Sequence, residues 1–442
     1  MNELFARKAL LAGGWADNVK LGIDAGVIAA VECGVADPAS DASGVVVPGI
    51  GNAHSHAFQR ALAGRAEHGS GEDTFWTWRH LMYALSARLD AAALEAIAAQ
   101  LYAEMLAAGY TSVVEFHYLH RGRDEASVSG VMCEALVRAA DATGIRLIYA
   151  PVLYERADFD RPTPTPEQAR FAMSLDEYLA HVEWALDRSH APHSVALAAH
   201  SLRAVTPASL TAIAERAKSM DCPLHIHVAE QQREVEGCQE HLNARPVQWL
   251  LDNQDVDPLW TLVHATHIDA EECGQLADSG ATVALCPSTE GNLGDGLFPL
   301  EDYLHHGGSV AIGSDSHVTV DPFEELRWLE YGQRLISHKR NVAAGTSGHT
   351  GHDLFAAVQN GGARAAGLPG CGLEPGAVAD LLVLDTEHPG LLGHGTDTLL
   401  DALLFSAQGS PVDRVMVHGE WCVSGGRHRD GAAREHLRAQ GR

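Results

Sequence analysis

The sequence predicts an α/β fold: a (β/α)8 TIM-like barrel carrying a small composite β-sandwich domain built from both termini. Three observations predict it. Eight short apolar runs between residues 45 and 315 alternate with amphipathic stretches. Histidines and acids recur where those runs end. Both chain ends read instead as short β segments with turn signals.

The eight predicted barrel strands are VVVPGI (45–50), TSVVEF (111–116), RLIYAPVLY (146–154), SVALAAHSL (194–202), PLHIHV (223–228), TLVHAT (261–266), ATVALCP (281–287) and SVAIGSD (309–315). Between them, AAALEAIAAQLYAEMLAAG, GVMCEALVRAADATG and PASLTAIAERAKSM repeat apolar residues at three and four, with Gly or Asp often closing the segment. Residues 1–47 and 375–442 are expected to pair into one β domain, since neither end alone is long enough for a good core. Residues 48–374 form the catalytic barrel. The stretch 57–85 is long for a βα loop, and long loops over a barrel mouth tend to be functional.

The net charge of −27 and only four lysines argue against nucleic acid or an anionic membrane surface as partner. The eight cysteines include no C-x-x-C and read as reduced core thiols. The N-terminus lacks a basic stretch followed by a long apolar one, and no run of 18 apolar residues occurs, so a cytoplasmic protein is expected.

Barrel enzymes place their chemistry at the C-terminal ends of the strands. Here those ends carry His54 and His56, His200 and Arg203, His225, His227 and Glu230, His264 and His267, and Asp315 and His317. Residues two apart on a strand share a face, so each His-x-His pair can point to the barrel axis. A chain with 26 His in 442 residues yields about 1.5 such pairs by chance, so one pair says little. Five strand ends together say more. Three imidazoles, a carboxylate and a water suit Zn²⁺ or Fe²⁺. Taken singly, each histidine reads more readily as a hydrogen-bonded polar core residue or a solvated loop residue.

PGIGNAHSHAFQR, HIHVAE, LVHATH, CPSTEGNLGDG and GSDSH resemble the successive motifs of the amidohydrolase superfamily, over nearly the whole chain. TFWTWRHLMY, EFHYLH and STEGNLGDG further resemble the formimidoylglutamate deiminases of histidine degradation. The resemblance implies one divalent metal, Zn²⁺ with Fe²⁺ as the alternative, on His54, His56, His227 and Asp315. It implies Glu230 as catalytic acid/base, His264 as the polarising imidazole, and Asp315 as a second catalytic group orienting the nucleophile. Gln59, Tyr118 and His200 match pocket-lining positions, and a homodimer is expected. His225 reads as a supporting or core residue, while His267 and His317 carry no assignment. Some members hold a second metal on a carboxylated Lys after the fourth strand. No Lys lies near AAHSLRAV and the nearest, Lys218, sits in a helical stretch, so one metal is expected.

The implied reaction is hydrolysis of N-formimidoyl-L-glutamate to N-formyl-L-glutamate and ammonia. A dicarboxylate substrate calls for bidentate arginines, and Arg203 and Arg79 are the candidates. Phe75, Trp76 and Trp78 read either as a lid or as a hydrophobic anchor for the long loop. Two other readings remain open: an aminohydrolase of the same superfamily acting on a heterocycle such as guanine or an aminotriazine, and a non-catalytic binding relative. The latter is expected to lose ligands, and none is missing.

Overall fold

The computed structural model describes residues 2–36, 43–69, 71, 73–123, 125 and 127–429. The outermost part of the predicted terminal domain, residues 430–442, lies outside them. Four strands open the chain: β1 (Asn2–Leu11), β2 (Gly14–Asp24), β3 (Val27–Glu32) and β4 (Ser43–Pro48). The barrel strands follow: β5 (Ile50–Ser55), β6 (Tyr110–His117), β7 (Arg146–Leu153), the split β8 (Ser194–Val195) and β9 (Leu197–Ala199), β10 (Leu224–Val228), β11 (Trp260–His264), β12 (Thr282–Leu285) and β13 (Ser309–Ile312). Last come β14 (Leu381–Leu384), β15 (Val412–Val417), β16 (Glu420–Ser424) and β17 (Arg427–His428).

β5 to β13 form one parallel sheet in sequence order, and helices cover its outside. The sheet closes at the C-terminal rim, where Ser55 bridges Asp315. His56 N–H donates to Asp315 O at 3.1 Å, and Asp315 N–H donates to His54 O at 3.0 Å. Gly313 permits this approach: a Cβ there would lie 2.7 Å from His54 Cβ and 2.9 Å from His54 O. At the other end, the Thr350–Ala365 helix presses its Gly361 against Val310, where a Cβ would sit 1.9 Å from the carbonyl oxygen.

The helices begin and end where the sequence signals them. Asp90, Thr206, Asp269 and Asp321 cap N-termini with their side chains, and Gly109, Gly144, Asp221 and Gly280 close helices in the left-handed conformation. The Ala91–Ala108 helix is long and apolar enough to cross a membrane by length and composition. In the fold Leu94, Ala98, Leu101, Tyr102, Met105 and Leu106 are buried in the main core, and Glu95 and Glu104 bond Arg138 and Arg60.

Strands from both ends join in one sheet, ordered β17-β16-β15-β14-β4-β1-β2-β3. β4 joins the two ends, pairing with β1 on one side and β14 on the other. The sheet curls over its own core, so that Ile28 N–H reaches Ala377 O at 2.9 Å. The run Val45–Val47 therefore belongs to this sheet, and the first barrel strand starts only at Ile50. The expectation of a barrel strand over 45–50 failed for a physical reason. Val46 faces the terminal core while Val45 and Val47 face the main core, so the run is apolar throughout because both faces are covered. The fourth strand is also shorter than expected, ending at Ala199. All eight cysteines are free thiols; six are buried, but Cys33 is exposed and Cys371 half-buried, so neither is a core residue.

A buried bidentate ion pair ties the barrel to the terminal sheet. Arg146 on β7 donates from Nε and Nη2 to Asp380 at 2.9 and 2.8 Å, and Asp380 also accepts His418 N–H at 2.8 Å. Removing one partner of such a pair costs about 3–5 kcal/mol, whereas replacing both with apolar residues is often neutral. Asp380→Ala should lower the unfolding temperature clearly, and the double variant Arg146→Met/Asp380→Leu should recover much of the loss. Thermal denaturation of the three proteins checks this.

Candidate active site

Three imidazoles meet at the C-terminal rim. His54 Nε2 lies 3.1 Å from His56 Nε2 and 3.0 Å from His227 Nε2. Two of the rings are fixed from behind. His56 Nδ1 is 2.8 Å from Phe116 O, and His227 Nδ1 is 3.0 Å from His200 O. A carbonyl only accepts, so both Nδ1 atoms carry the proton and both Nε2 atoms are bare. His54 Nε2 can hold at most one hydrogen, so it cannot make a directed hydrogen bond to both bare nitrogens. A cation among the three removes that conflict. Burial holds the pKa of all three down, that of His54 to about 3, so they are neutral ligands at physiological pH.

Asp315 completes the set, its Oδ1 being 3.4 Å from His56 Nε2 and 3.5 Å from His54 Nε2. A tetrahedral zinc site with metal–nitrogen bonds of about 2.0–2.1 Å spaces its ligand atoms roughly 3.3 Å apart. The three imidazoles fit a single divalent metal in both chemistry and spacing, and Asp315 Oδ1 stands at ligand distance from two of them. Lys218 is exposed and paired with Asp255.

Beside this set, His264 Nε2 lies 3.9 Å from both Glu230 Oε1 and Asp315 Oδ2. Its Nδ1 donates to Glu290 Oε1 at 3.2 Å, and the same oxygen accepts Cys286 N–H at 2.8 Å. Burial alone would pull His264 down, but Glu230, Glu290 and Asp315 outweigh it and push the pKa up to about 10. Burial raises the pKa of Glu230, an effect His264 opposes. Ala229, His264, Ala265, Asp315 and His317 all have left-handed φ, between 44° and 69°. Strain of this kind costs about 1–3 kcal/mol per residue and gathers at functional sites.

The substrate-side residues form one wall. Gln59 donates to the Tyr118 hydroxyl at 2.8 Å, and the Tyr118 ring lies against His56 and His200. His200 packs on Tyr154 at 4.7 Å, and Arg79 donates to the Tyr154 hydroxyl at 3.1 Å. Arg203 is only 6% exposed, and its Nη1 has no hydrogen-bond partner. Arg79 and Arg203 both lie over the Trp76 ring. Contacts thus run from the His56 ring through Tyr118, His200 and Tyr154 to Arg79, and Arg79 shares the Trp76 ring with Arg203. His225 bonds Ala365 O at 2.9 Å inside the core, and His317 braces Ser55 and Ser314. His267 lies just past β11, its N–H bonded to Ala229 O.

Sequence reasoning missed Glu290, Asp295 and Arg233. Glu290 and Asp295 lie within the motif CPSTEGNLGDG, which carried a family signal but no assigned role; the buried Asp295 accepts a hydrogen bond from Gln231. Arg233 lies three residues beyond Glu230, its guanidinium also over Trp76. The carbonyls of Phe116 and His200 leave no side-chain signal at all.

A second histidine cluster, Asp141, His190 and His193, has different chemistry. His193 Nδ1 accepts Leu147 N–H at 3.1 Å, so its Nε2 carries the proton and donates it to Asp141 at 3.0 Å. That nitrogen has no free lone pair for a metal. The apolar cleft lined by Val137, Leu147, Trp184 and Val195 also takes in His190 and His193, but none of the residues gathered around His54 or Trp76.

Residues 45–422 match the Amidohydrolase family, and residues 1–44 match the N-terminal domain of formimidoylglutamate deiminase HutF. The chain is 48% identical to a formimidoylglutamate deiminase of Pseudomonas aeruginosa, over 97% of this chain and 96% of that one. An 8-oxoguanine deaminase of the same organism is 30% identical, over 86% and 83%. The crystal structure of an amidohydrolase from Brucella melitensis superposes with a TM-score of 0.93 at 42% identity, covering 99% of this chain and 98% of that one. A zinc complex of atrazine chlorohydrolase from Arthrobacter aurescens, 20% identical, shares the fold with a TM-score of 0.85 over 99% of each chain. With a matching family model over most of its length and relatives of this identity, the chain belongs to the amidohydrolase family.

Proposed function

We propose that this protein is a formimidoylglutamate deiminase, hydrolysing N-formimidoyl-L-glutamate to N-formyl-L-glutamate and ammonia. The observation that carries the substrate class is Arg203. A buried guanidinium with an unpaired Nη1 is costly unless an anion meets it. Arg79 lies over the same indole and supplies a second cation for a substrate with two carboxylates. A flat heterocycle, as acted on by the 8-oxoguanine deaminase relative, has no such need. The near-full-length identity to a formimidoylglutamate deiminase supports the same reading.

His54, His56, His227 and Asp315 would hold one divalent ion, which we take to be zinc. When bound, that ion supplies the Lewis acidity that makes water nucleophilic near neutral pH. Glu230, its pKa raised by burial, takes the proton of the attacking water and passes it to the departing nitrogen. His264, oriented by Glu290 and with its pKa raised by the acids around it, stabilises negative charge as the C=N carbon becomes tetrahedral. Asp315 orients the nucleophile. The hydroxyl proton of the tetrahedral carbon then follows to the same nitrogen by way of Glu230, the C–N bond breaks, ammonia leaves, and the oxygen stays as the formyl carbonyl. Gln59, Tyr118 and His200 shape the wall beside the reacting carbon.

The enzyme is inferred to work in the cytoplasm as a homodimer. Trp328, Tyr331 and Leu335 follow at three and seven residues along the Pro322–Ser337 helix and are 40–74% exposed, an apolar face suited to a second copy.

The purified enzyme should release ammonia from formimidoylglutamate and not from guanine or an aminotriazine; the reverse pattern overturns the substrate assignment. Elemental analysis should find about one divalent metal per chain, with lower occupancy in His227→Ala; two tightly held equivalents, or unchanged occupancy, would refute the site. Glu230→Gln should keep the metal and lose at least about 10²–10⁴ in turnover, the usual contribution of a general acid–base group. Arg203→Met should lower kcat/KM for formimidoylglutamate by about 30-fold or more, since losing one partner of a buried charge pair costs about 2–5 kcal/mol.

A further inference from the structure

We propose that Arg233 is a third anion-binding residue of this site, receiving the outer carboxylate of the substrate at the mouth and selecting dicarboxylates over monocarboxylates. The substrate class rests on the deiminase reading above; the cationic cluster does not. Arg233 lies in the first turn of the Gln232–Leu242 helix, three residues beyond Glu230, so the strand end that supplies the acid/base also supplies this charge. Its guanidinium carbon is 4.6 Å from the centre of the Trp76 ring, closer than Arg79 at 5.5 Å or Arg203 at 5.9 Å. Three like charges therefore surround one indole.

Among the described residues none of the three arginines forms an ion pair with a carboxylate, although the chain carries a net charge of −27 and acids are abundant. The nearby acids are engaged elsewhere. Glu234 accepts the Glu230 N–H at 3.3 Å through one oxygen and meets Arg203 only as a longer-range charge, while Asp158 pairs with Arg161 at 3.0 Å. Cation–π contact with Trp76 orients the guanidiniums but leaves their charge unneutralised. The cluster is also graded in depth: Arg203 is buried, Arg79 half-buried and Arg233 exposed. This order suits a molecule with two separated carboxylates, one led inward to Arg203 and the other kept at the rim. It also answers a difficulty of charge, since a strongly acidic protein repels an anionic substrate unless a local cationic field receives it.

The experiment compares the metal-replete wild type with Arg233→Gln and Arg233→Lys. Calorimetry measures binding of glutarate and of butyrate, and kinetics measure formimidoylglutamate against formimidoylglycine. In Arg233→Gln, glutarate affinity should fall about 3- to 5-fold while butyrate affinity changes less than about 1.5-fold, the upper size of effect expected for an exposed charge pair. KM for formimidoylglutamate should rise in parallel, with a weaker dependence on salt, and Arg233→Lys should restore much of both. Equal losses for the mono- and dicarboxylate, or unchanged glutarate binding in Arg233→Gln, would overturn the proposal. Glutarate binding needs no turnover. A wild type that binds glutarate through Arg233 yet leaves formimidoylglutamate intact would therefore sink the deiminase reading and keep this one.

Discussion

Two backbone carbonyls set the chemistry of this protein. Phe116 O and His200 O take the Nδ1 protons of His56 and His227, and in doing so bare the opposite nitrogens toward His54. A histidine free to choose its tautomer could turn such a contact into an ordinary hydrogen bond. These two have no such choice, because the carbonyls at the ends of neighbouring strands decide it for them. The barrel thus builds a metal-binding donor set from parts that cannot satisfy one another.

The scaffold that holds this arrangement is closed at the same place. Asp315 lies next to the His54 and His56 rings and exchanges backbone hydrogen bonds with both residues, so the last strand joins the first at the candidate metal site itself. Left-handed backbone at Ala229, His264, Ala265, Asp315 and His317 bends the chain out of the strands and across the rim. Such strain persists only where its surroundings are rigid. Here the small residues Ala53, Ala284, Ala311 and Ala365 pack tightly beneath, and the terminal sheet is tied on by Arg146 and Asp380.

Charge is segregated within the site. Glu230, Glu290 and Asp315 crowd around His264 and raise its pKa, while Arg79, Arg203 and Arg233 gather around Trp76. The acidic side suits a cationic amidine head and proton transfer, and the basic side suits carboxylates. One molecule carrying both groups would be oriented by the field before any close contact forms.

The sequence by itself determined the barrel, the joining of the two ends, and the identity of the histidines and acids at the rim. Each depends on local rules: apolar period, residue type, and position at a strand end. It misplaced the first barrel strand, because Val45–Val47 is buried on both faces by a partner sheet from the far end of the chain, which no local pattern reports. Glu290 and Arg233 stood in view, one inside a recognised motif and one just beyond another, but their roles depend on His264 and Trp76, which are distant in sequence. The bare nitrogens of His56 and His227 were the least legible feature. Tautomer is set by a hydrogen bond to a backbone oxygen, every residue has such an oxygen, and only the tertiary structure decides which one lies behind the ring.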